Sequence, residues 1–586
     1  MVTDTGHRST LAGFGEPSFV SMAWPRLRHR AVRDARRAVE DGLAGAASAT
    51  LDGVAEAHRH TRDPALLRAL VEATLDPREP SEERCFAAYR IGYLARAAAG
   101  DPGISDDEVA DLFGRALRWG AEMRGGGGLA ETAAGVALAG YLRDLSGLDL
   151  DTAVSRFRSA VEDQLTAESV HRSGSPGAHI EVLNGVAAVL AAGLTDDRHL
   201  MQIRLAMEEA LAWMVAPDGS LVEVGDTRPR LIGGLWAGYD MEPTAMEAVY
   251  QHPNLLHAAT AGALGMAPPQ GWRVFPEAGI AISKTGWPEA IDRLDGSSLL
   301  LVQGDSGRRE QADDLNVVWF DRGRWLLVGP GSVRRPDQAV RPDQRIRSEA
   351  EAGEQLEAED APAPPPIAEI EAFVKTRAAH NVVDIEDDIE TTAASEVVRW
   401  GTIRGTQVLE AETVIGGVAQ HRSVALVPGA WLVVVDTLTI GGAPTRRRRF
   451  RQPEGPPAAV WFHAATGLDV APGTAGLVLA AAGDPVAWVT QLGRGWDPIP
   501  PERGRRHQPL QGWGFGASGR PVALWGFGWR GTTPRRSVVL FTLDGPASVE
   551  ASDAASCTWS TAGERVRLSW SETGILDLER GPEARR

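Results

Sequence analysis

The 586-residue chain is poor in cysteine and lysine. Its two cysteines, Cys85 and Cys557, lie far apart and lack Cys-x-x-Cys or histidine-rich spacing, so neither a disulfide framework nor a zinc knuckle is indicated. Only Lys284 and Lys375 are lysines, so arginine supplies almost all of the positive charge. No run of about 18 apolar residues occurs, and residues 1–15 lack the apolar core of a signal peptide. We therefore expect buried thiols, no membrane span and a cytoplasmic location, with export by another route left open.

The net charge of -18 argues against a nucleic-acid or anionic-membrane binder, because such proteins need a basic surface to displace counterions. The arginines nevertheless cluster locally, for example at Arg308-Arg309 and at 446–449. Arginine pairs in a planar, bidentate way with carboxylates and sulfates. An anionic ligand in one cleft is therefore compatible with the acidic whole; the alternative is that each cluster is solvated surface charge.

The length exceeds what a single hydrophobic core usually supports, so at least two domains are expected. From about residue 25 to 265, apolar residues recur at three- and four-residue spacing, which predicts successive amphipathic helices. Ser105 to Glu108 has the form of a capping box. These features predict a helical domain over residues 1–271.

After Trp272 the apolar period changes to two, and β-branched runs are bounded by Gly and Pro. Asp321-Arg322-Gly323 is typical of a hairpin turn between two of these runs. The aromatic residues divide at the same point, since 14 of the 18 Trp lie at or after Trp272 and all five Tyr lie at or before Tyr250. The sequence therefore predicts an antiparallel β-sandwich over residues 272–586.

Three groups of short motifs follow one another along the chain. The first comprises 171–179 and 217–227, the second runs from 304 to 331, and the third comprises 376–383 and 420–436. In this order, across roughly residues 80 to 545, they resemble the heparinase II/III-type polysaccharide lyases. The resemblance implies a multidomain α + β fold, in which an N-terminal incomplete α/α toroid is joined to a C-terminal antiparallel β-sandwich.

The resemblance also implies a reaction. Such lyases cleave uronic-acid polysaccharides by β-elimination: a base, commonly a Tyr, removes the proton next to the uronate carboxylate, and the bond to the glycosidic oxygen breaks. The negative charge that develops on the carboxylate must be neutralised by Asn, His, Arg or a cation.

In the helical half, several positions depart from the family's pattern. Where the family has an Asn-His pair with Glu three residues after the His, this chain reads Gly127-Gly128-Leu129-Ala130-Glu131, so only Glu131 remains. Ala178 stands where a Tyr is expected before His179, and an acidic residue expected near Ser173 is absent.

The sandwich motifs depart as well. The family's His-x-His-Ala-Asp reads 309–313 here, with Gln311 in place of the second His, and its Leu-Val-Asp-Pro-Gly reads 327–331, with Gly329 in place of Asp. Of the three zinc ligands that the family implies, only His380 is retained. Because zinc normally takes three or four His, Cys or carboxylate donors, we predict no metal and no other cofactor.

Candidate site residues follow from the resemblance. Those for proton transfer are His179, His171, Glu131 and Tyr239. Those for binding an acidic substrate are Arg308, Arg309, Gln311, Asp313, His380 and Asn381. Histidine suits proton transfer near neutral pH. The simpler interpretation of His179 and His380 is nevertheless that they are packing and hydrogen-bonding residues retained by the scaffold.

Several alternatives stay open at this point. The leading hypothesis is a lyase acting on an acidic polysaccharide; the chief alternative is a non-catalytic relative that binds an anionic glycan or partner protein between the domains. A biosynthetic enzyme with a small acidic substrate is a third. Asp218 and Asp226 could be the paired carboxylates of a glycoside hydrolase, although both lie in ordinary turn sequences. Tryptophans in the Gly-rich stretches near Trp513 could stack on sugars, but core packing is the simpler interpretation.

Overall fold

A computed structural model of the chain describes residues 25–43, 48–75, 84–123, 128–142, 149–191, 195–227, 250–260, 262–288, 294–296, 298–304, 311–332, 363–385, 395–440, 455–516, 520–553, 555–561, 563–571 and 574–582. Helices come first along the chain and strands follow. The helices are α1 Pro25–Asp41, α2 Ser48–Thr61, α3 Pro64–Leu75, α4 Arg84–Ala98, α5 Asp106–Met123, α6 Leu129–Tyr141, α7 Leu150–Glu162, α8 Pro176–Ala191, α9 Arg198–Met214, α10 Pro253–Ala259 and, among the strands, α11 Ile367–Val374.

Side-chain caps fix where several of these helices begin. The predicted capping box is confirmed, because the amide of Ser105 donates to the Glu108 carboxylate (3.0 Å) and the amide of Glu108 donates to the Ser105 hydroxyl (3.3 Å). Asp149 accepts from the amide of Thr152 at the start of α7 (2.8 Å). That helix ends at Glu162, where the chain turns back and Leu165 pairs with His171.

Most strands form two large antiparallel sheets. The strands are β1 Gly271–Phe275, β2 Ile280–Thr285, β3 Ser298–Gln303, β4 Asn316–Asp321, β5 Arg324–Leu327, β6 Val383–Ile385, β7 Glu396–Ile403, β8 Thr406–Ile415, β9 Val418–Val427, β10 Trp431–Ile440, β11 Pro457–Ala464, β12 Leu468–Gly473, β13 Gly476–Ala481, β14 Asp484–Gln491, β15 Asp497–Arg503, β16 Trp513–Phe515, β17 Pro521–Ala523, β18 Trp525–Thr532, β19 Arg535–Thr542, β20 Ser548–Ser552, β21 Ser556–Thr561, β22 Glu564–Ser571 and β23 Gly574–Pro582. The first sheet has the order β1-β2-β3-β4-β5-β11-β18-β15 with β6 beside β11, and the second has the order β12-β13-β14-β19-β10-β9-β8-β7.

The predicted hairpin between β4 and β5 is confirmed. Asp321 pairs with Arg324, and the two residues between them, Arg322 and Gly323, both have positive φ (49° and 77°). This left-handed backbone matches the twist of the flanking strands.

Apolar side chains divide the molecule into four layers. One core joins the helices to one face of the first sheet, where Ile282, Leu301 and Phe320 lie. A second core fills the space between the two large sheets. A third covers the outer face of the second sheet with β20 to β23, a small sheet that the sequence did not reveal as a separate layer. The predicted order of helices and then a sandwich is confirmed, although the first core crosses the predicted boundary at residue 272.

A buried lysine ties the helices to the first sheet. Lys284 on β2 donates to the carbonyl oxygens of Ala212 (2.9 Å) and Val215 at the end of α9, and its ammonium lies 4.0 Å from the ring centroid of Trp287. A cation at a helix C-terminus satisfies carbonyls that have no partner within the helix. Burial lowers the pKa of Lys284 well below its usual value.

The described helices include none that is long and apolar enough to cross a membrane. Cys557 is a free, buried thiol in the third core, as predicted, and burial raises its pKa. Cys85 lies in α4, but its side chain is outside the described set.

Candidate functional site

The fold brings together three segments that the sequence motifs had singled out, 171–179, 217–227 and 311–316. At the start of α8, the hydroxyl of Thr227 lies 3.1 Å from that of Ser175 and accepts from the amide of Gly177 (3.0 Å). Two residues earlier, the amide of Gly225 donates to the Asp313 carboxylate on the sheet side (3.1 Å). These contacts form a continuous path from a helix N-terminus to the first sheet, which we call the junction.

Close backbone packing at the junction explains two of its glycines. A Cβ added at Gly177 would lie 3.0 Å from the Cα of Thr227. Gly225 has a left-handed φ of +56°, and a Cβ there would lie 3.3 Å from Cβ of Ser175 and 3.4 Å from the side-chain nitrogen Nε2 of Gln303. A larger residue at Gly177 would push the start of α8 away from Thr227, and one at Gly225 would be crowded by Ser175 and Gln303.

His171 lies at the edge of the junction and is partly exposed. Its Nδ1 lies 2.8 Å from the hydroxyl of Ser173 and accepts from the amide of Ser173 (3.2 Å). The ring is thus held by the turn that leads into α8. Of the two histidines predicted for proton transfer, His171 is partly exposed to solvent and His179 is buried.

His179 is fully buried in α8. Its Nδ1 accepts from the backbone amide of His171 (3.3 Å), and its Nε2 lies 2.9 Å from the carbonyl oxygen of Met207, to which it donates. Burial, followed by the nearby His171, lowers the pKa of His179 to about 4. Both ring nitrogens are used inside the protein, which favours the packing role; the catalytic role stays a prediction.

His380 is also buried, in the turn after α11. Its Nε2 lies 2.9 Å from the carbonyl oxygen of Val374. A second buried histidine, His463, lies on β11, and its Nε2 lies 3.1 Å from the side-chain nitrogen of Gln511. Burial, and then the neighbouring His380, lower the pKa of His463 to about 3.

The side chain of Asn381 connects three neighbouring backbone segments of the first sheet: β4, the residue after β5, and β11. Its side-chain nitrogen donates to the carbonyl oxygens of Val317 (2.7 Å) and Val328 (2.9 Å), and its side-chain oxygen accepts from the amide of His463 (2.6 Å). Both amide protons are therefore used by backbone. The predicted substrate-binding role of Asn381 stays a prediction, and this geometry favours a structural one.

A buried ion pair anchors the same loops to the second sheet. Arg422 donates to both carboxylate oxygens of Asp436 (2.7 and 2.9 Å) and also to the carbonyl oxygens of Leu315 and Asn381 (both 2.7 Å). Neither charged side chain is exposed to solvent. The hydrogen-bonded path of the junction thus continues through the first sheet into the second.

The other predicted residues are placed as follows. Gln311 and Asp313 are buried, at 8% and 1% exposure. Glu131 is partly exposed in the first turn of α6, and its carboxylate occupies the volume that a side chain at position 128 would take, since a Cβ there would lie 2.3 Å from Oε2. Tyr239, Arg308 and Arg309 lie outside the described residues, so their predicted roles stay predictions.

The Asp218 carboxylate stabilises the turn in which it lies. It accepts from the amide (3.0 Å) and the hydroxyl (2.6 Å) of Ser220, while Asp226 is exposed. Burial raises the pKa of Asp218, and the hydrogen bonds from Ser220 oppose that rise. This geometry supports the turn interpretation over a pair of hydrolase carboxylates. Trp496, Trp513 and Trp529 are buried, as core packing predicts.

The residues at the family's zinc position do not fit a zinc ion. A Cβ added at Gly329 would lie 2.2 Å from the carbonyl oxygen of Glu223, so helical-domain backbone occupies the space of the expected Asp. Gln311 is neutral, and Nε2 of His380 faces a carbonyl oxygen. The described part of the chain contains no group of three His, Cys, Asp or Glu that could hold a metal.

Sequence reasoning missed several of these contacts. Ser173 was noted only for the acidic residue it replaces, yet it contacts His171; Lys284 was noted only for its rarity. In the sequence, the apolar residues that precede Lys284 in the strand Ile280–Thr285 are the feature that could have indicated a buried lysine. His463 and Gln511 carry no motif.

No family model and no curated protein matches this sequence. Solved structures do match it. Two structures titled heparinase III superpose with TM-scores of 0.63 and 0.62, at 12% and 14% identity, over 91% of this chain and 84% and 81% of theirs. Heparan sulfate lyase HepC from Pedobacter heparinus superposes with a TM-score of 0.60, at 13% identity, over 91% of this chain and 81% of its own. The chain therefore has the heparinase III fold, as its motifs predicted.

Proposed function

We propose that this chain, which has the fold of heparinase III, acts on an acidic, uronate-containing polysaccharide by β-elimination at the junction. The observation that carries the proposal is the convergence of 171–179, 217–227 and 311–316 in one hydrogen-bonded unit with a partly exposed His171 at its edge. Residues that are scattered in the sequence are thereby held in a fixed arrangement, which catalysis requires.

The reaction needs three chemical roles. A base takes the proton next to the uronate carboxylate, the electron pair left behind forms a carbon–carbon double bond, and the bond to the glycosidic oxygen breaks as that oxygen takes up a proton. We assign His171 to stabilise the carboxylate as its charge grows, by donating a hydrogen bond. Tyr239 is one of the residues predicted for proton transfer, and we propose it as the base. Arg308 and Arg309 are among the residues predicted to bind the acidic substrate.

A second candidate is a non-catalytic protein that binds the same class of polysaccharide. It is favoured by His179 and His380, whose Nε2 atoms are bound to backbone carbonyl oxygens, and by the close packing of Gly329 on Glu223. In this case the junction would hold acidic sugars without a group to remove the proton.

An ultraviolet assay separates the two candidates. The protein is incubated with a panel of uronic-acid polysaccharides, and the absorbance of a new unsaturated uronate is followed. We expect product from at least one substrate, with a loss on the order of 100-fold in His171→Gln. His199→Gln, at an exposed position in α9, is the matched control and should keep the wild-type rate.

Absence of product on every substrate at high protein concentration would rule out the lyase. Titration calorimetry with the same polysaccharides then tests the second candidate, because a binding protein releases or absorbs heat without forming the double bond.

A further inference from the structure

Two buried amide side chains on the first sheet face the helical part of the molecule. Gln303, the last residue of β3, is paired with Asn316, the first residue of β4, and both are 0% exposed. Side chains two positions apart on a strand point to the same face of the sheet. The neighbouring pair on this face, Leu301 and Val318, belongs to the core that the helices share with the first sheet. Gln303 and Asn316 therefore point toward the helices.

Both amides lie close to the backbone that leads into the start of the junction at Gly225. Nε2 of Gln303 lies 3.4 Å from the position that a Cβ would take at Gly225. Nδ2 of Asn316 lies 4.0 Å from the corresponding position at Gly329, which is itself 2.2 Å from the carbonyl oxygen of Glu223. The two side chains thus share one place, between the strands and this backbone segment.

Three polar atoms of these side chains have no hydrogen-bond partner in the part of the chain that the structure describes. They are Nε2 and Oε1 of Gln303 and Nδ2 of Asn316, and all three are buried. Oδ1 of Asn316, in contrast, accepts from the amide of Asn381 (3.0 Å), which determines that the unpaired end of this side chain is the nitrogen. A buried donor or acceptor without a partner is destabilising, because it loses its hydrogen bonds to water on folding.

The unpaired atoms determine which kind of ligand fits between them. Nδ2 of Asn316 can only donate a hydrogen bond, so it disfavours a metal cation. An anion is disfavoured by the Asp313 carboxylate, which accepts from the amide of Gly225 beside Gln303 (3.1 Å). Oε1 of Gln303 requires a donor, whereas the two nitrogens require acceptors. Water is small and neutral, and it supplies both.

We propose that Gln303 and Asn316 hold at least one internal water between the first sheet and residues 223–225. The water accepts a hydrogen bond from Nδ2 of Asn316 and donates one to Oε1 of Gln303. Directly opposite residues of an antiparallel pair have Cβ atoms about 4.5–5.5 Å apart, so one water can bridge their side chains. Buried waters of this kind bind polar groups that lack a protein partner and form part of the fold. The site is independent of the proposed reaction and belongs to a lyase and to a binding protein alike.

A high-resolution crystal structure of the wild type tests the site directly. We expect a water within about 2.7–3.2 Å of Nδ2 of Asn316 and of the side-chain amide of Gln303. Crystals grown in bromide distinguish water from an anion, because bromide gives an anomalous signal. An anomalous peak between the two amides, or the absence of any peak there, would overturn the proposal.

Urea unfolding of Gln303→Met is a second test, because methionine has a similar length and no amide. If water binds both side chains, the variant loses hydrogen bonds and leaves Asn316 with one partner fewer. The midpoint should then shift to a lower urea concentration, and the bridging water should be absent from the crystal structure of the variant. If the site is dry, the variant loses only unpaired polar atoms and becomes more stable. An equal or higher midpoint would therefore contradict the proposal.

Gln491→Met is the matched control, because the amide of Gln491 has protein partners at both ends. Its nitrogen donates to the hydroxyl of Ser537 (2.8 Å), and its oxygen accepts from the amides of Gly493 (2.9 Å) and Val538 (3.0 Å). Its midpoint should also shift to lower urea, as expected for the loss of a hydrogen-bonded amide. The water beside Asn316 should remain in this variant.

Discussion

At the scale of single residues, the histidines of this chain differ in ways that its sequence does not show. His171 and His179 stand eight positions apart in one motif, yet one is partly exposed and the other is buried with both nitrogens bound. The sequence indicated that a histidine belongs at each position. It could not assign their roles, because those depend on hydrogen bonds to Ser173 and Met207.

Burial of His179 should make the stability of the protein depend on pH. The unfolded ring takes up a proton below its ordinary pKa of 6.5, whereas the folded ring does so only near 4. Between these values the unfolded state binds more protons, so stability falls as the pH is lowered, by about 3 kcal/mol for this ring alone. Urea unfolding of the wild type across this range should show the loss, and His179→Gln should show a shallower one.

His463 titrates in the same direction and remains in that variant, so the pH dependence of His179→Gln should be reduced rather than abolished. His199→Gln, at an exposed position, should behave like the wild type. Equal pH dependence in the wild type and in His179→Gln would show that the buried ring is not neutral in the folded state.

The absence of a side chain at Gly329 should also be measurable. A methyl group there would lie 2.2 Å from the carbonyl oxygen of Glu223. Because that oxygen belongs to the backbone, it cannot move aside as the end of a flexible side chain could. We expect Gly329→Ala to lower the free energy of unfolding by about 1–3 kcal/mol. The matched control is Gly296→Ala, where a Cβ meets nothing within 4 Å.

If both glycine variants unfold like the wild type, Gly329 is not packed closely against Glu223. Metal analysis of the purified wild type belongs to the same experiment. We expect no stoichiometric zinc, and one tightly bound zinc per chain would contradict both the packing and the predicted lack of a metal.

At the scale of elements, the spacing of apolar residues predicted the helical half and the strand-rich half, and turn residues predicted the capping box at Ser105 and the β4–β5 hairpin. Local signals suffice there, because a capping box or a pair of left-handed residues acts within a few positions. The third sheet, β20 to β23, escaped prediction because its apolar positions on Cys557, Trp559 and Leu568 look like those of any sandwich strand. Which layer a strand joins depends on partners distant in the chain.

The buried ion pair between Arg422 and Asp436 lies within the second sheet, and Arg422 also donates to the carbonyl oxygens of Leu315 and Asn381 beside the first sheet. Arg422→Met removes the partner of a fully buried carboxylate and the donor to two carbonyl oxygens, so we expect a loss of about 3–5 kcal/mol in urea unfolding. Replacing both residues, as Arg422→Met with Asp436→Leu, should cost less than the two single changes added together, because no charge is left unpaired.

Arg565→Met is the matched control for this pair, since Arg565 and Glu550 form an ion pair with side chains 52% and 33% exposed. Its removal should cost less than about 1 kcal/mol. A similar small cost for Arg422→Met would show that the buried Arg422 contributes little to the stability of the fold.

At the scale of the whole molecule, one hydrogen-bonded path runs from the N-terminus of α8 through Asp313 and Asn381 to Arg422. The motifs that suggested the fold are the residues of this path. Sequence resemblance therefore predicted the scaffold, because motif residues such as Gly225 and Asp436 determine backbone geometry. The chemistry stays a prediction, because several positions at which the family carries its reactive groups hold other residues in this chain.

Hydrogen exchange with a bound ligand tests the central claim, that acidic polysaccharide is bound at the junction, most directly. Amide exchange is compared with and without a uronate oligosaccharide that the protein binds, using a neutral oligosaccharide of equal length as the control. We predict slower exchange in 164–174 and 223–227 with the acidic ligand alone. Protection confined to other segments, or no protection by any uronate oligosaccharide, would contradict the account.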